Sequence, residues 1–191
     1  TQDDMYLPVA EQLGVDRATA KVAVLGAMYG QTTGHGAAAL RGLEMAYPVA
    51  MRYLTEADLA GQVGRDIRTY GGRLVRMGSS GGGDELSDRD SRSRAAALGR
   101  YGRNAMVQGA AAEFFKVWAV TVRSRAAPFG ARIVLCLHDE LLVHAPTGQA
   151  TSVADLLVDC LTDAARHWAP NDAVSFVADV SVIRRWSDAK S

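Results

Sequence analysis

Hydrophobic and polar positions follow a helical period along most of the chain and a two-residue period only near its C-terminal end. The spacing predicts a short amphipathic helix over 16–29, opened by Asp16 and stopped by Gly30. After a Gly- and Thr-rich loop from Gly30 to Gly36 comes a small-residue helical stretch. Pro48 then stands near the first turn of a longer helix reaching Arg68, with Gly71 and Gly72 closing the run. Residues 78–93, GSSGGGDELSDRDSRS, combine glycine, serine and alternating charge with almost nothing apolar, which predicts a disorder-prone surface loop. From Arg94 to Arg123 the pattern is helical again, giving the longest predicted helix. Two β-rich apolar runs, IVLCL and LLVHA, lie within Arg132–Ala145 and are separated by His138, Asp139 and Glu140, the mark of a hairpin with a charged tip. A helix is predicted over Ala150–Trp168, and the alternation in VSFVADVSV predicts a final strand pairing in the same sheet. The expected fold class is α+β, helix-rich with a small antiparallel sheet, and there is no internal repeat.

Composition changes this picture little. With 191 residues and 48% hydrophobic side chains, the chain can bury one sizeable core or contribute to two smaller ones. No uncharged apolar run approaches bilayer length and the N-terminus lacks signal-peptide features, so a soluble cytoplasmic protein without membrane contact is expected. The chain opens at Thr1, and its first residues read as the interior of a folded domain, which implies a larger parent protein. Cys136 and Cys160 sit inside apolar runs without a CxxC or His-rich neighbour, as buried reduced thiols do. Formal net charge is zero, yet Arg65, Arg68, Arg73, Arg76 and further arginines crowd the middle while aspartates weight the C-terminal third. Arginine far outnumbers lysine, which fits phosphate recognition and equally fits a GC-rich coding bias.

Three constellations carry candidate chemistry. Arg17, Lys21, Leu25 and Tyr29 are four residues apart, so they line one helix face in series, each step advancing about 6 Å. Two cations so placed can grip successive phosphates, with the next side chains beside a base; a solvated helix face has the same pattern. Arg100, Asn104 and Gln108 repeat the interval, followed by Gly109 and three alanines. Donors in such a row can probe the minor groove, where every base pair offers purine N3 or pyrimidine O2 acceptors. A polar face over an alanine-rich core explains them as well. Third, His138, Asp139 and Glu140 at a hairpin tip between buried strands form a rigid, partly desolvated mount for a divalent ion, or simply a turn. Two-metal phosphoryl transfer needs carboxylates from at least two strands, and only one such strand is visible.

Taken in order, these segments resemble family A DNA polymerases, the bacterial DNA polymerase I type. RATAKVAVLGAMYG resembles the fingers motif, RYGRNAMVQGAAAE the palm helix that tracks the minor groove, and LCLHDELLVHAP the palm hairpin whose aspartate binds catalytic magnesium. Weaker agreement extends over nearly the whole chain: DMYLPVA resembles the segment before the fingers helix, TYGGR at Thr69–Arg73 a DNA-contacting turn, and RRWSDAK the family's closing residues. The resemblance implies that Arg17 and Lys21 bind the incoming nucleotide's phosphates, with Lys21 counted among the catalytic residues beside Asp139 and Glu140. It further implies that Leu25 contacts the base and sugar and that Tyr29 guards the template position. Arg73, Arg100, Asn104 and Gln108 become DNA contacts, His138 steadies the primer terminus, and Asp139 is the metal ligand. Residues 1–93 are then part of the fingers with a connecting helix and loop, and 94–191 the C-terminal half of the palm.

The implied parent is a DNA-directed DNA polymerase using two Mg2+ ions, primer-template DNA and deoxynucleoside triphosphates, located in the bacterial cytoplasm with the nucleoid. Its thumb, first palm motif and any exonuclease domain are expected upstream, so the chain alone is expected to be inactive. Leu25 stands where the family usually has an aromatic ring, Val24 replaces a common asparagine, Met106 a common proline and Cys136 a common glutamine. The segment between Tyr29 and Tyr47 is also short. These departures suggest a divergent branch, resembling a second polymerase I-like protein of some actinobacteria. They also motivate an alternative: a degenerate polymerase retained as a primer-template binding module.

Overall fold

The computed structural model describes residues 4–30, 36–78, 88–170 and 174–189. Two compact units divide the chain, Thr1–Ala110 and Ala111–Ser191, and the division falls inside its longest helix.

The first unit opens with α1 (Tyr6–Leu13), which the hydrophobic pattern did not announce. Asp4 starts it by accepting the Tyr6 N–H at 2.9 Å. Helix α2 (Arg17–Tyr29) has the expected bounds. The Asp16 carboxylate caps it, accepting the Thr19 backbone N–H at 2.9 Å and the Thr19 hydroxyl at 2.7 Å, so a first-turn donor is satisfied. Ala20, Ala23 and Ala27 form its buried face. After α3 (Gly36–Ala46), Pro48 opens α4 (Pro48–Gln62), where its missing N–H is harmless. Ala23 and Ala27 pack with Leu43, Met51 and Leu54 in one small core.

Helix α4 stops at Gln62, short of the expected Arg68. Gly64 takes φ 70°, and the Arg65 and Gly64 N–H groups return to the carbonyls of Ala60 and Gly61 at 2.8 and 3.0 Å. That double return satisfies the last carbonyls and ends the helix. The residues beyond it instead form β1 (Ile67–Arg68), paired antiparallel with β2 (Leu74–Val75). Ile67, Val75 and Met77 bury against Ala57, Ala60 and Met106 in a second small core. Met106, one of the departures from the family pattern, is therefore a core residue.

Helix α5 (Asp88–Ala126) is longer at both ends than expected and claims 88–93 from the predicted loop. Asp88 and Asp90 lie in its first turn, where negative charge complements the exposed N–H groups. The remainder of that loop, 79–87, lies outside the described residues.

In the second unit, Val122, Cys160 and Trp118 centre a core shared by α5, the hairpin and α6 (Ala150–Trp168), the last matching expectation. The Trp118 indole N–H donates to the Leu157 carbonyl at 3.1 Å. Strands β3 (Arg132–Leu137) and β4 (Glu140–His144) pair antiparallel, with Leu137 opposite Glu140. Ile133, Leu141 and Val143 turn toward the core, but the strands are half-buried at most, not buried as expected. Residues 174–182 also depart from the sequence reading. Phe176, Ala178 and Val180 are half-buried while their neighbours are exposed, and the Phe176 ring stacks on Phe114 at 4.0 Å, yet the segment joins no ladder. Its alternation is that of a strand; the local pattern cannot supply the partner that a strand requires.

Candidate functional site

Arg17 and Lys21 project from the exposed face of α2, opposite its buried alanines. Both cations lie over the ring of Tyr6, the Arg17 Cζ at 5.6 Å and the Lys21 Nζ at 5.9 Å from its centroid. The Arg17 Nε donates to the Asp4 carboxylate, and this contact is the main reason that carboxyl is held below the usual carboxylate range. Lys21 has no carboxylate partner among the described residues. Asp4 and Tyr6 were not expected at the site: Tyr6 opens another helix and Asp4 precedes it, thirteen residues from Arg17, and no periodicity links them to α2. Leu25 is half-buried further along α2, and Tyr29 is exposed at its end.

The first unit brings two of the predicted constellations together. A β-carbon placed on Gly30, the residue after Tyr29, would meet the Arg100 Cγ at 3.1 Å and the Arg103 Cδ at 3.6 Å. The end of the cation-bearing helix therefore lies against the start of the Arg100–Asn104–Gln108 row. Arg103, absent from the predicted site, is buried beneath this junction, its guanidinium near the Leu54 carbonyl and the Thr55 hydroxyl, both at 3.5 Å. Arg100 and Gln108 are exposed, whereas the Asn104 Oδ1 is buried without a hydrogen-bond partner. A buried acceptor without a protein partner is uncommon in a folded chain.

Farther along the same row, TYGGR forms the loop between β1 and β2. The Thr69 hydroxyl accepts the Arg73 N–H at 3.1 Å, and the Thr69 N–H donates to the Arg73 carbonyl at 3.0 Å. This loop rests on α5 at Gly109, where a β-carbon would lie 2.6 Å from the Thr69 Cγ2 and 2.7 Å from an Arg73 Nη. Only glycine admits so close an approach, and it sets the Arg73 side chain against α5 at Gly109.

In the second unit His138 and Asp139 are the two turn residues of the β3–β4 hairpin. His138 has φ 53°, the only non-glycine residue at positive φ among those described. Positive φ suits the twist of two-residue hairpins, and histidine is among the side chains that tolerate it. His138, Asp139 and Glu140 are all exposed, so the expected partial desolvation of the carboxylates does not come from the strands beside them. Among the described residues no three His, Cys, Asp or Glu side chains gather into a metal cluster. Cys136, expected to be buried, is exposed on β3, while Cys160 is fully buried as expected. A groove of about 450 Å3 lined by Lys116, Val117, Asp163 and His167 contains none of the predicted residues. No helix among the described residues is long and apolar enough to cross a membrane.

Comparison with known proteins gives a concordant result. Residues 6–188 match the family model of DNA polymerase family A. The chain is 28% identical over 202 residues to DNA polymerase I of Deinococcus radiodurans, a match covering 95% of this chain and 20% of that protein. It is 29% identical over 144 residues to DNA polymerase theta of Caenorhabditis elegans, covering 75% of this chain and 8% of the relative. The solved POL domain of Pol1 from M. smegmatis, in complex with DNA primer-template and dNTP, superimposes with a TM-score of 0.63 at 26% identity, over 84% of this chain and 31% of that one. The chain thus spans a fifth or less of these two curated relatives.

Proposed function

Because the chain belongs to DNA polymerase family A, we propose that it supplies the nucleotide-gripping helix, the groove-tracking helix and one metal-binding carboxylate of a DNA-directed DNA polymerase. Residues 1–93 serve as part of the fingers and 94–191 as part of the palm. Arg17 and Lys21 hold the triphosphate, Leu25 meets the base and sugar, and Tyr29 guards the template position. Arg73, Arg100, Asn104 and Gln108 follow the minor groove of the primer-template, and His138 steadies the primer end. The observation that carries this reading is the junction within one compact unit: the end of α2 lies on Arg100, and the Thr69–Arg73 loop lies against α5 at Gly109. The helix that bears the phosphate cations and the helix that bears the groove donors thereby meet, an arrangement that suits nucleotide addition to a duplex end.

Asp139 offers hard carboxylate oxygens at an exposed hairpin tip, which suits Mg2+, and Glu140 adjoins it. One or two carboxylates are too few for a complete coordination sphere, so phosphate oxygens, water and a further carboxylate must complete it. When bound, the two ions lower the barrier by activating the attacking oxygen and stabilising the leaving one. Arg17 and Lys21 contribute positive charge toward the phosphates, and the groove donors fix the primer end in line with them. A cytoplasmic, nucleoid-associated location accords with the DNA substrate.

Primer extension by a longer natural protein containing this chain tests the proposal. We expect Mg2+-dependent synthesis with all four deoxynucleotides, none from the chain alone, and near-total loss of turnover with much of the DNA affinity kept in Asp139→Ala, because the metal acts in the transition state. An inactive longer protein that binds primer-template normally would instead establish the second reading, a DNA-binding module, which Leu25 in place of an aromatic side chain favours.

A further inference from the structure

The cation pair on α2 is held from behind. Arg17 donates through Nε to the Asp4 carboxylate, leaving both Nη groups of its planar fork for another ligand. The other oxygen of that carboxylate accepts the Tyr6 backbone N–H at 2.9 Å, so Asp4 is itself fixed at the start of α1. Beneath the guanidinium lies the Tyr6 ring, at 5.6 Å, and the same ring sits 5.9 Å from the Lys21 ammonium. The Arg17 side chain remains 51% exposed and that of Asp4 27%, so the ion pair is open to an incoming anion on one side. A free arginine samples many rotamers and must lose them on binding; here the loss is borne before the ligand arrives.

Resting on the reading that Arg17 and Lys21 take a triphosphate, we infer that Asp4 is a positioning residue of that site, orienting the Arg17 guanidinium through its Nε edge so that the Nη pair faces the phosphates. A carboxylate beside a phosphate site has an opposite effect available to it: repelling the ligand and competing for the same cation. The two roles differ in what they ask of Asp4. Orientation needs an acceptor oxygen at that place, whereas competition needs its negative charge. Asparagine keeps the first and removes the second; alanine removes both.

The experiment measures binding of inorganic tripolyphosphate and of dATP to the complete 191-residue chain by calorimetry, with circular dichroism confirming helix content in each variant. Asp4→Ala is expected to weaken both ligands by about two- to tenfold, the range for releasing one rotamer-rich side chain, and Asp4→Asn to bind at least as tightly as the parent sequence. In an Arg17→Ala background the effect of Asp4→Ala should vanish, which a general loss of stability would not produce. If Arg17→Ala and Lys21→Ala weaken binding but Asp4→Ala leaves it equal or tighter, Asp4 is a competitor and the inference is overturned while the phosphate site stands. If the parent sequence binds neither ligand, or binds both undiminished in Lys21→Ala and Arg17→Ala, the phosphate site itself is refuted and the role of Asp4 with it.

Discussion

Gly109→Ala is the sharpest perturbation of the surface where the Thr69–Arg73 loop meets α5. In an exposed helix, replacing glycine by alanine stabilises by about 1 kcal/mol through backbone entropy. Here the added methyl would lie 2.6 Å from the Thr69 Cγ2 and 2.7 Å from an Arg73 Nη. The arginine tip is the far end of a flexible side chain and yields more readily than Thr69. Thr69 has no such freedom: it is 4% exposed, stiff at χ1, and its hydroxyl is engaged with the Arg73 backbone. Overpacking of this kind costs about 1–3 kcal/mol, so the balance is a net destabilisation of up to roughly 2 kcal/mol with the loop lifted off α5.

Thr69→Ser removes only the clashing methyl and keeps the hydroxyl. Alone it should cost about 1 kcal/mol, as loss of a buried methyl does. Combined with Gly109→Ala, the new methyl occupies the space that the old one left, so the double variant should be more stable than the sum of the singles by about 1–2 kcal/mol. Urea denaturation of the four chains, followed by tryptophan fluorescence and circular dichroism, gives the cycle. Additivity within about 0.5 kcal/mol would show that the two groups do not touch, and the seating of the Thr69–Arg73 loop on α5 would fall with it.

Trp118→Phe keeps the packing but leaves the Leu157 carbonyl without its indole donor, so a loss of about 1–2 kcal/mol is expected in the same denaturation assay. Native protein should titrate one thiol with a disulfide reagent, Cys136, and a second, Cys160, only in denaturant. Burial pushes the Cys160 thiol above its usual 9.0, so the unfolded chain releases that proton first; stability should fall as pH rises past this value, and less steeply in Cys160→Ala. Asp16 behaves in the opposite sense. Hydrogen bonds from the Thr19 hydroxyl and backbone hold its carboxyl below 3.8, so its contribution is present above that pH and is lost as pH falls through the native value, a dependence that Asp16→Ala should remove from an acid titration of helicity.

The elements readable from the sequence were those with local causes. Asp16 and Gly30 bracket α2 because one carries a capping oxygen and the other admits positive φ, and both signals lie within a turn of the helix they bound. Hairpin β3–β4 was legible because two apolar runs flank a tip too polar to continue either. What escaped depended on distant partners. Strands β1 and β2 are two residues each, too short for any period to register. Gly64, which ends α4, is not distinguishable by sequence from Gly61, which lies within that helix. Residues 174–182 carry the alternation of a strand, but whether alternation becomes a ladder is decided by a partner elsewhere. The row Arg100–Asn104–Gln108 was visible as a pattern, whereas the contact of Arg100 with Gly30, and that of Gly109 with the Thr69–Arg73 loop, arise only in the folded packing.

Asp139 illustrates how an exposed side chain can still be a committed one. Its solvent exposure argues against a preformed metal cage, as does the absence of any three-ligand cluster among the described residues. Its mounting points the other way. A two-residue turn leaves no slack, the strands on either side are anchored through Ile133, Leu141 and Val143 to the core around Trp118, and His138 holds a backbone conformation that costs on the order of 1–3 kcal/mol for most residues. A turn selected for stability alone would place glycine or asparagine at that position. The arrangement is therefore one of rigidity without burial. On the proposed reading, the carboxylate is held at a fixed place while the low dielectric and the remaining oxygen ligands arrive with the nucleotide and the primer end. Tight ion binding would then be a property of the ternary assembly, and the hairpin's own contribution is to lose as little orientational freedom as possible when that assembly forms.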